Sequence, residues 1–144
     1  MSRRRIAVVL VLGALLAPGA PAAAVRAANI TSPLDGRWTA SITRAQLLRA
    51  GATGALAAKL YGAWTARYAD GRFEFRNHRT GKIARGTFTV RGKVVRTAFV
   101  SGVGVKSGDV SECTWSIYRD RLTLEPIRGR PSLLCDAGVW TRAG

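Results

Sequence analysis

Acidic side chains are scarce in this chain: 8 Asp and Glu stand against 23 Lys and Arg, a formal net charge of +15. Histidine occurs once, as His78, cysteine twice and methionine once. A lone histidine excludes a histidine-based triad and a histidine-rich metal cluster. The carboxylates weighed here fall on turns or outward positions, so the sequence places no pair of them at a common site for acid–base work. Long hydrophobic runs are also missing. The unbroken apolar stretch Ile6 to Ala17 (IAVVLVLGALLA) is about 12 residues, too short to span a bilayer.

That stretch reads as an export signal. Met1-Ser2-Arg3-Arg4-Arg5 is a basic head, and PGAPAAAVRAA supplies the small residues that a signal peptidase needs. Cleavage is expected between Ala24 and Ala28, giving a signal peptide over 1–28 and one domain over 29–144, with no transmembrane span left. Ser2-Arg3-Arg4-Arg5-Ile6 also fits a loose twin-arginine pattern. The expected location is secreted or extracytoplasmic, in the cell envelope. Cys113 and Cys135 suit that compartment, and a bridge between them is expected, with two buried free thiols as the alternative.

What remains is a succession of short alternating runs separated by turn residues. Trp38, Ala40 and Ile42 share one face of the first run, with Arg37, Thr39 and Ser41 on the other. Thr43-Arg44-Ala45-Gln46 is a capping box, opening a helix through Leu47 and Leu48 that Gly51 stops. A second short helix carries Leu56 and Leu60, capped by Thr53.

WTARYADGRFEFRN, residues 64–77, holds Asp70-Gly71 between two alternating runs, a strong hairpin signal. The register this turn implies sets Tyr68 against Phe73, Ala66 against Phe75, and Arg67 against Glu74. A turn at Gly92-Lys93 pairs Val90 with Val95, Phe88 with Thr97 and Thr89 with Arg96. A turn at Arg119-Asp120 pairs Ile117 with Leu122, Trp115 with Leu124 and Ser116 with Thr123. Strands are expected near 36–43, 62–69, 72–78, 84–91, 94–100, 112–118, 121–126 and 137–142. Eight such strands imply an all-β protein, an eight-stranded up-and-down antiparallel barrel with a short helical insert after the first strand; a sandwich is the alternative. Eight strands leave room inside for side chains or one small ligand.

Arg76, His78, Arg79 and Lys82 crowd the end of the first hairpin. Asn77 to Gly81 read as turn residues, so this group is expected on a solvated loop and outer face. Nucleic acid is not expected as a partner, because stacking would need aromatic rings on the arginine face. Gly102-Val103-Gly104-Val105-Lys106-Ser107-Gly108 lacks the phosphate-loop motif and reads as a mobile loop.

Gly36-Arg37-Trp38, the meander of hairpins and Trp140-Thr141-Arg142 resemble the lipocalin-like (calycin) barrels. The stretch from Trp64 to Val100, with Gly86-Thr87-Phe88-Thr89-Val90-Arg91-Gly92, is similar to small exported lipocalin-like proteins of actinobacteria. The likeness covers most of the chain, from about Leu34 to Arg142. It implies that an arginine from the barrel's end packs across the tryptophan of the Gly-x-Trp motif. Because GRWTASI is echoed by GAWTARY, that tryptophan is Trp38 or Trp64. The likeness also implies a binding protein, with no catalytic machinery and no cofactor.

Inward aromatic residues then become the candidate ligand-binding set: Trp38, Trp64, Tyr68, Phe73, Phe75, Phe88 and Trp115. The same rings could instead fill the core. Leu47, Leu48 and Leu56 are placed to let the helical insert cover one mouth. The function expected is the binding of a small hydrophobic or amphiphilic ligand. The alternative is an exterior that binds anionic envelope polymers or a protein partner.

Overall fold

The computed structural model describes residues 31–127, 132, 133, 135 and 138–144. The expected export signal over 1–28, and position 137 of the expected last strand, lie outside the described residues. Eight strands form a closed antiparallel barrel in chain order: β1 Gly36–Ile42, β2 Gly62–Ala69, β3 Arg72–Asn77, β4 Ile83–Arg91, β5 Val94–Ser101, β6 Val110–Tyr118, β7 Arg121–Pro126 and β8 Val139–Arg142. Between β1 and β2 come α1 Arg44–Arg49 and α2 Gly54–Leu60. The barrel, and not the sandwich, is therefore the architecture.

Each hairpin takes the register that its turn dictates. Tyr68 faces Phe73, Ala66 faces Phe75 and Arg67 faces Glu74. Val90 faces Val95, Phe88 faces Thr97 and Thr89 faces Arg96. Ile117 faces Leu122, Trp115 faces Leu124 and Ser116 faces Thr123. Asp70 adopts φ 51° and Gly71 φ 72°, the left-handed pair that lets a two-residue loop follow the strand twist. A register shift between Arg85 and Gly86 bends β4. Gly86 is required at that bend, since a Cβ would lie 2.0 Å from the Ala98 carbonyl and 2.8 Å from the Phe73 ring.

Both helices start as their caps demand. Thr43 and Gln46 form the reciprocal capping box, and the Thr53 side chain accepts from the Leu56 amide. Leu47 is buried and Leu56 packs against the core, but Leu48 is 46% exposed and covers nothing. A six-residue helix turns only one narrow face inward, and Leu47 occupies it.

The seam that closes the barrel is its thinnest. β8 has four residues, and its ladder with β1 consists of Trp38↔Arg142 and Thr39↔Thr141. A clasp reinforces it. The Arg142 guanidinium lies 4.2 Å from the Trp38 ring centroid and donates to the Asp35 carbonyl at 3.3 Å. Trp38 is fully buried, and its indole N–H donates to the Leu34 carbonyl at 2.8 Å. The tryptophan beneath the arginine is thus Trp38, not Trp64. Gly36 leaves the space, because a Cβ there would meet Arg142 Nη1 at 2.9 Å.

Cys113 and Cys135 are joined by a disulfide, so the free-thiol alternative falls. The bridge ties the segment after β7 to β6.

Candidate functional site

The seven candidate aromatics do not converge on one cavity. Tyr68, Phe73, Phe75 and Phe88 are buried and touch one another edge to face or tilted, with Phe99 and Trp140 joining the cluster. They fill the barrel instead of lining a hollow one. Burial pushes the Tyr68 phenol well above its usual range, so it stays neutral. Trp38 belongs to the seam clasp. Trp115 sits at the Gly92-Lys93 end, where its indole N–H donates to the Gly92 carbonyl and the Lys93 ammonium lies 4.8 Å over its ring. Of the seven, Tyr68 and Phe73 reach the edges of two outer clefts, while Trp64 and Phe75 line an apolar cavity.

That space lies at the helix-covered mouth. It is an apolar cavity of about 100 Å³, walled among others by Leu47, Leu60, Trp64, Phe75, Phe99 and Trp140. The helical insert supplies Leu47 and Leu60, and the β5–β6 loop adds Val103 and Val105. The loop read from sequence as merely mobile is therefore a wall. The alternation of Val103 and Val105 between glycines was the available signal, although the glycines themselves resemble a phosphate-binding loop. Trp140 was missed as well, although its place in the last alternating run marks it as inward.

Polar groups around the cavity are satisfied with one exception. The Trp64 indole N–H donates to the Leu60 carbonyl at 2.7 Å. Asn77, fully buried, donates to the same carbonyl at 2.8 Å and accepts from the Arg79 and Thr80 amides. Trp140 is 2% exposed, and its indole N–H has no acceptor among the described residues. A buried, unpaired donor costs about 1–3 kcal/mol relative to a paired one. Beside the cavity, and sharing Phe99, Gly104, Val105 and Leu133 with it, is a polar cleft of about 470 Å³ that holds Arg96, Ser111, Glu112 and Ser132. The Ser111 and Ser132 hydroxyls are hydrogen-bonded to each other there.

The basic group at the end of the first hairpin divides. Arg79 is no loose loop residue: its guanidinium donates to the Tyr61 and Ala58 carbonyls and stacks 3.9 Å from the Tyr61 ring, pinning the end of α2. His78 stays on the outer face, its Nε2 at 2.6 Å from Thr65 Oγ1. Arg67 and Glu74 are register partners, but the carboxylate is taken by other cations. Arg85 reaches it at 2.9 Å and Arg76 at 3.5 Å. The hydrogen bond from Arg85, with the positive charge of Arg85 and Arg76, holds the Glu74 carboxyl below the usual carboxylate range against its slight desolvation. Among the described residues, no group of three or more His, Cys, Asp or Glu is placed to hold a metal ion.

Geometry defines the class: a closed, disulfide-linked, eight-stranded meander barrel with an aromatic core and one small apolar cavity at its capped mouth. Comparison with family models, with curated proteins and with solved structures gave no match.

Proposed function

We propose that the chain is an exported, lipocalin-like binding protein that holds a small apolar or amphiphilic ligand at the helix-covered mouth. The observation that carries this reading is the unpaired, buried indole N–H of Trp140, a residue that walls an otherwise apolar cavity. An apolar cavity of roughly 150 Å³ is dry and takes a benzene ring. The space here is smaller, about 100 Å³, but it opens at the mouth, so it suits the inserted part of a small ring or the end of an acyl chain, carrying one hydrogen-bond acceptor for Trp140. A larger amphiphile would place its polar part in the adjoining cleft beyond Phe99 and Val105. The disulfide supports an oxidising compartment, in keeping with the export signal read at the N-terminus.

The test pairs acetophenone, which has a carbonyl acceptor, with ethylbenzene, which has none. Both should bind the purified, oxidised protein, as followed by calorimetry. Ala84→Leu, which fills the cavity, should abolish binding of both while the protein still melts cooperatively. Trp140→Phe should lower the preference for acetophenone over ethylbenzene by about fivefold to tenfold, the worth of one net hydrogen bond. Binding that survives Ala84→Leu unchanged would end this reading.

A further inference from the structure

The outer wall of β1–β4 is rich in arginine, away from the helix-covered mouth. One row of residues across these strands reads Arg37, Arg67, Glu74, Arg85, each in register with the next. Arg37 and Arg67 are both exposed and directly opposite each other, and neither guanidinium has a partner among the described residues. Like charges directly opposite on neighbouring strands destabilise a sheet. The carboxylate that could relieve them, Glu74, is occupied by Arg85 and Arg76.

Two clefts hollow this wall. One, of about 570 Å³, holds Arg37, Thr65, Arg67, Arg76 and His78, and its acidic members are Asp35, Asp70 and Glu74. The other, of about 790 Å³, holds Arg67, Arg72 and Arg85, with Asp70 and Glu74. They share Arg67, Ala69, Asp70 and Glu74, so they form one track. Five arginines outnumber three carboxylates along it. One Asp35 oxygen is turned to the Ser32 amide at 2.8 Å, and Glu74 is already paired. With strands about 4.8 Å apart, the row from Arg37 to Arg85 spans roughly 15 Å. That is too long for one small anion and suits successive charges on a chain. Outward residues of β1–β3 include no aromatic ring, and His78 just after β3 is the nearest one, so the track offers bases little to stack on. Its exposed apolar side chain is Val100, at the rim of the second cleft, too little to anchor in a bilayer.

We propose that this track binds a linear, non-aromatic polymer bearing repeated oxyanions, with Arg37 and Arg67 as its unneutralised clamp. Guanidinium forks receive phosphate or carboxylate oxygens through paired N–H donors. Binding supplies the counter-charge that the fold withholds from this pair, so affinity is drawn from a strained surface.

Oxidised full-length protein is titrated at low salt with inorganic polyphosphate and, separately, with polygalacturonate. Tight binding of the first assigns phosphate as the recognised group, and of the second, carboxylate. Arg37→Gln with Arg67→Gln should weaken the bound polymer at least tenfold and flatten the salt dependence. The same double variant should melt at the wild-type temperature or slightly above it, which a merely structural pair would not do. Arg91→Gln with Arg121→Gln, off the track and equal in charge lost, should leave affinity within about twofold. Equal weakening by the two double variants would reduce the effect to net charge and overturn the proposal. So would a failure of both polymers to bind, or binding only to vesicles containing phosphatidylglycerol.

Discussion

Replacing Arg142 by methionine keeps a flexible stem over the Trp38 indole and removes the cation. Two contributions are lost. The guanidinium over the ring at 4.2 Å is partly solvated, so the low end of the cation–π range, about 0.5–1 kcal/mol, applies. The hydrogen bond to the Asp35 carbonyl, at 3.3 Å and exposed, contributes about 1 kcal/mol more. The expected loss is about 1.5–2 kcal/mol, or roughly 6–8 °C in melting temperature for a domain of this size. The location matters as much as the amount. Since two residue pairs and the Ala143 amide on the Arg37 carbonyl join β1 to the end of the chain among the described residues, amide exchange should accelerate first along β1 and β8, ahead of β4 and β5. Urea unfolding of Arg142→Met, Trp38→Phe and the double variant isolates the pair, with a coupling of about 0.5–1 kcal/mol expected. A melting temperature within about 1 °C of wild type, or exchange that quickens evenly around the barrel, would refute the role of the clasp.

Replacing both Cys113 and Cys135 by alanine opens a loop of 22 positions and should lower stability by about 3 kcal/mol in urea titration, with the barrel still formed. Glu74 has a folded-state pKa below its ordinary value near 4.5, so its contribution is present above that value and lost as pH falls through the lower folded one. Glu74→Gln should therefore flatten the acid limb of the stability profile, by less than about 1 kcal/mol given the solvent around the pair. Gly86→Ala should cost about 1–3 kcal/mol by thermal melting, because the Ala98 carbonyl and Phe73 leave a methyl no room.

Short-range chemistry accounts for what was legible in the residues alone. Asp70-Gly71, Gly92-Lys93 and Arg119-Asp120 each dictate a turn, each turn dictates a register, and period-two alternation then assigns faces. Thr43 and Thr53 likewise place both helix starts, because a cap is made within three residues. Closure from β1 to β8 joins residues about a hundred positions apart, and the hairpins made it the natural completion of the meander. Which tryptophan lies under Arg142 was not written locally, since Gly36-Arg37-Trp38 and Gly62-Ala63-Trp64 carry the same signal. Only the meeting of β8 with β1 selects Trp38.

The interior obeyed packing, which no alternation pattern reports. Tyr68, Phe73, Phe75 and Phe88 point inward as read, yet whether inward rings enclose space or fill it depends on how all eight strands bring their side chains together. Here they fill it, and the opening is displaced to the mouth, where residues from both helices, the β5–β6 loop and β8 converge. Arg67 and Glu74 show the same division on the outside. Their register follows from one turn, but Arg85 and Arg76 compete for the carboxylate from a neighbouring strand and from the same one, leaving Arg67 beside Arg37 without a counter-charge. The residues by themselves determined the strands, their partners and their faces, because turns and alternation act over a few positions. The tertiary structure alone decided the cavity, the clasp and the unpaired arginines, because each depends on groups from several strands contending for one volume or one charge.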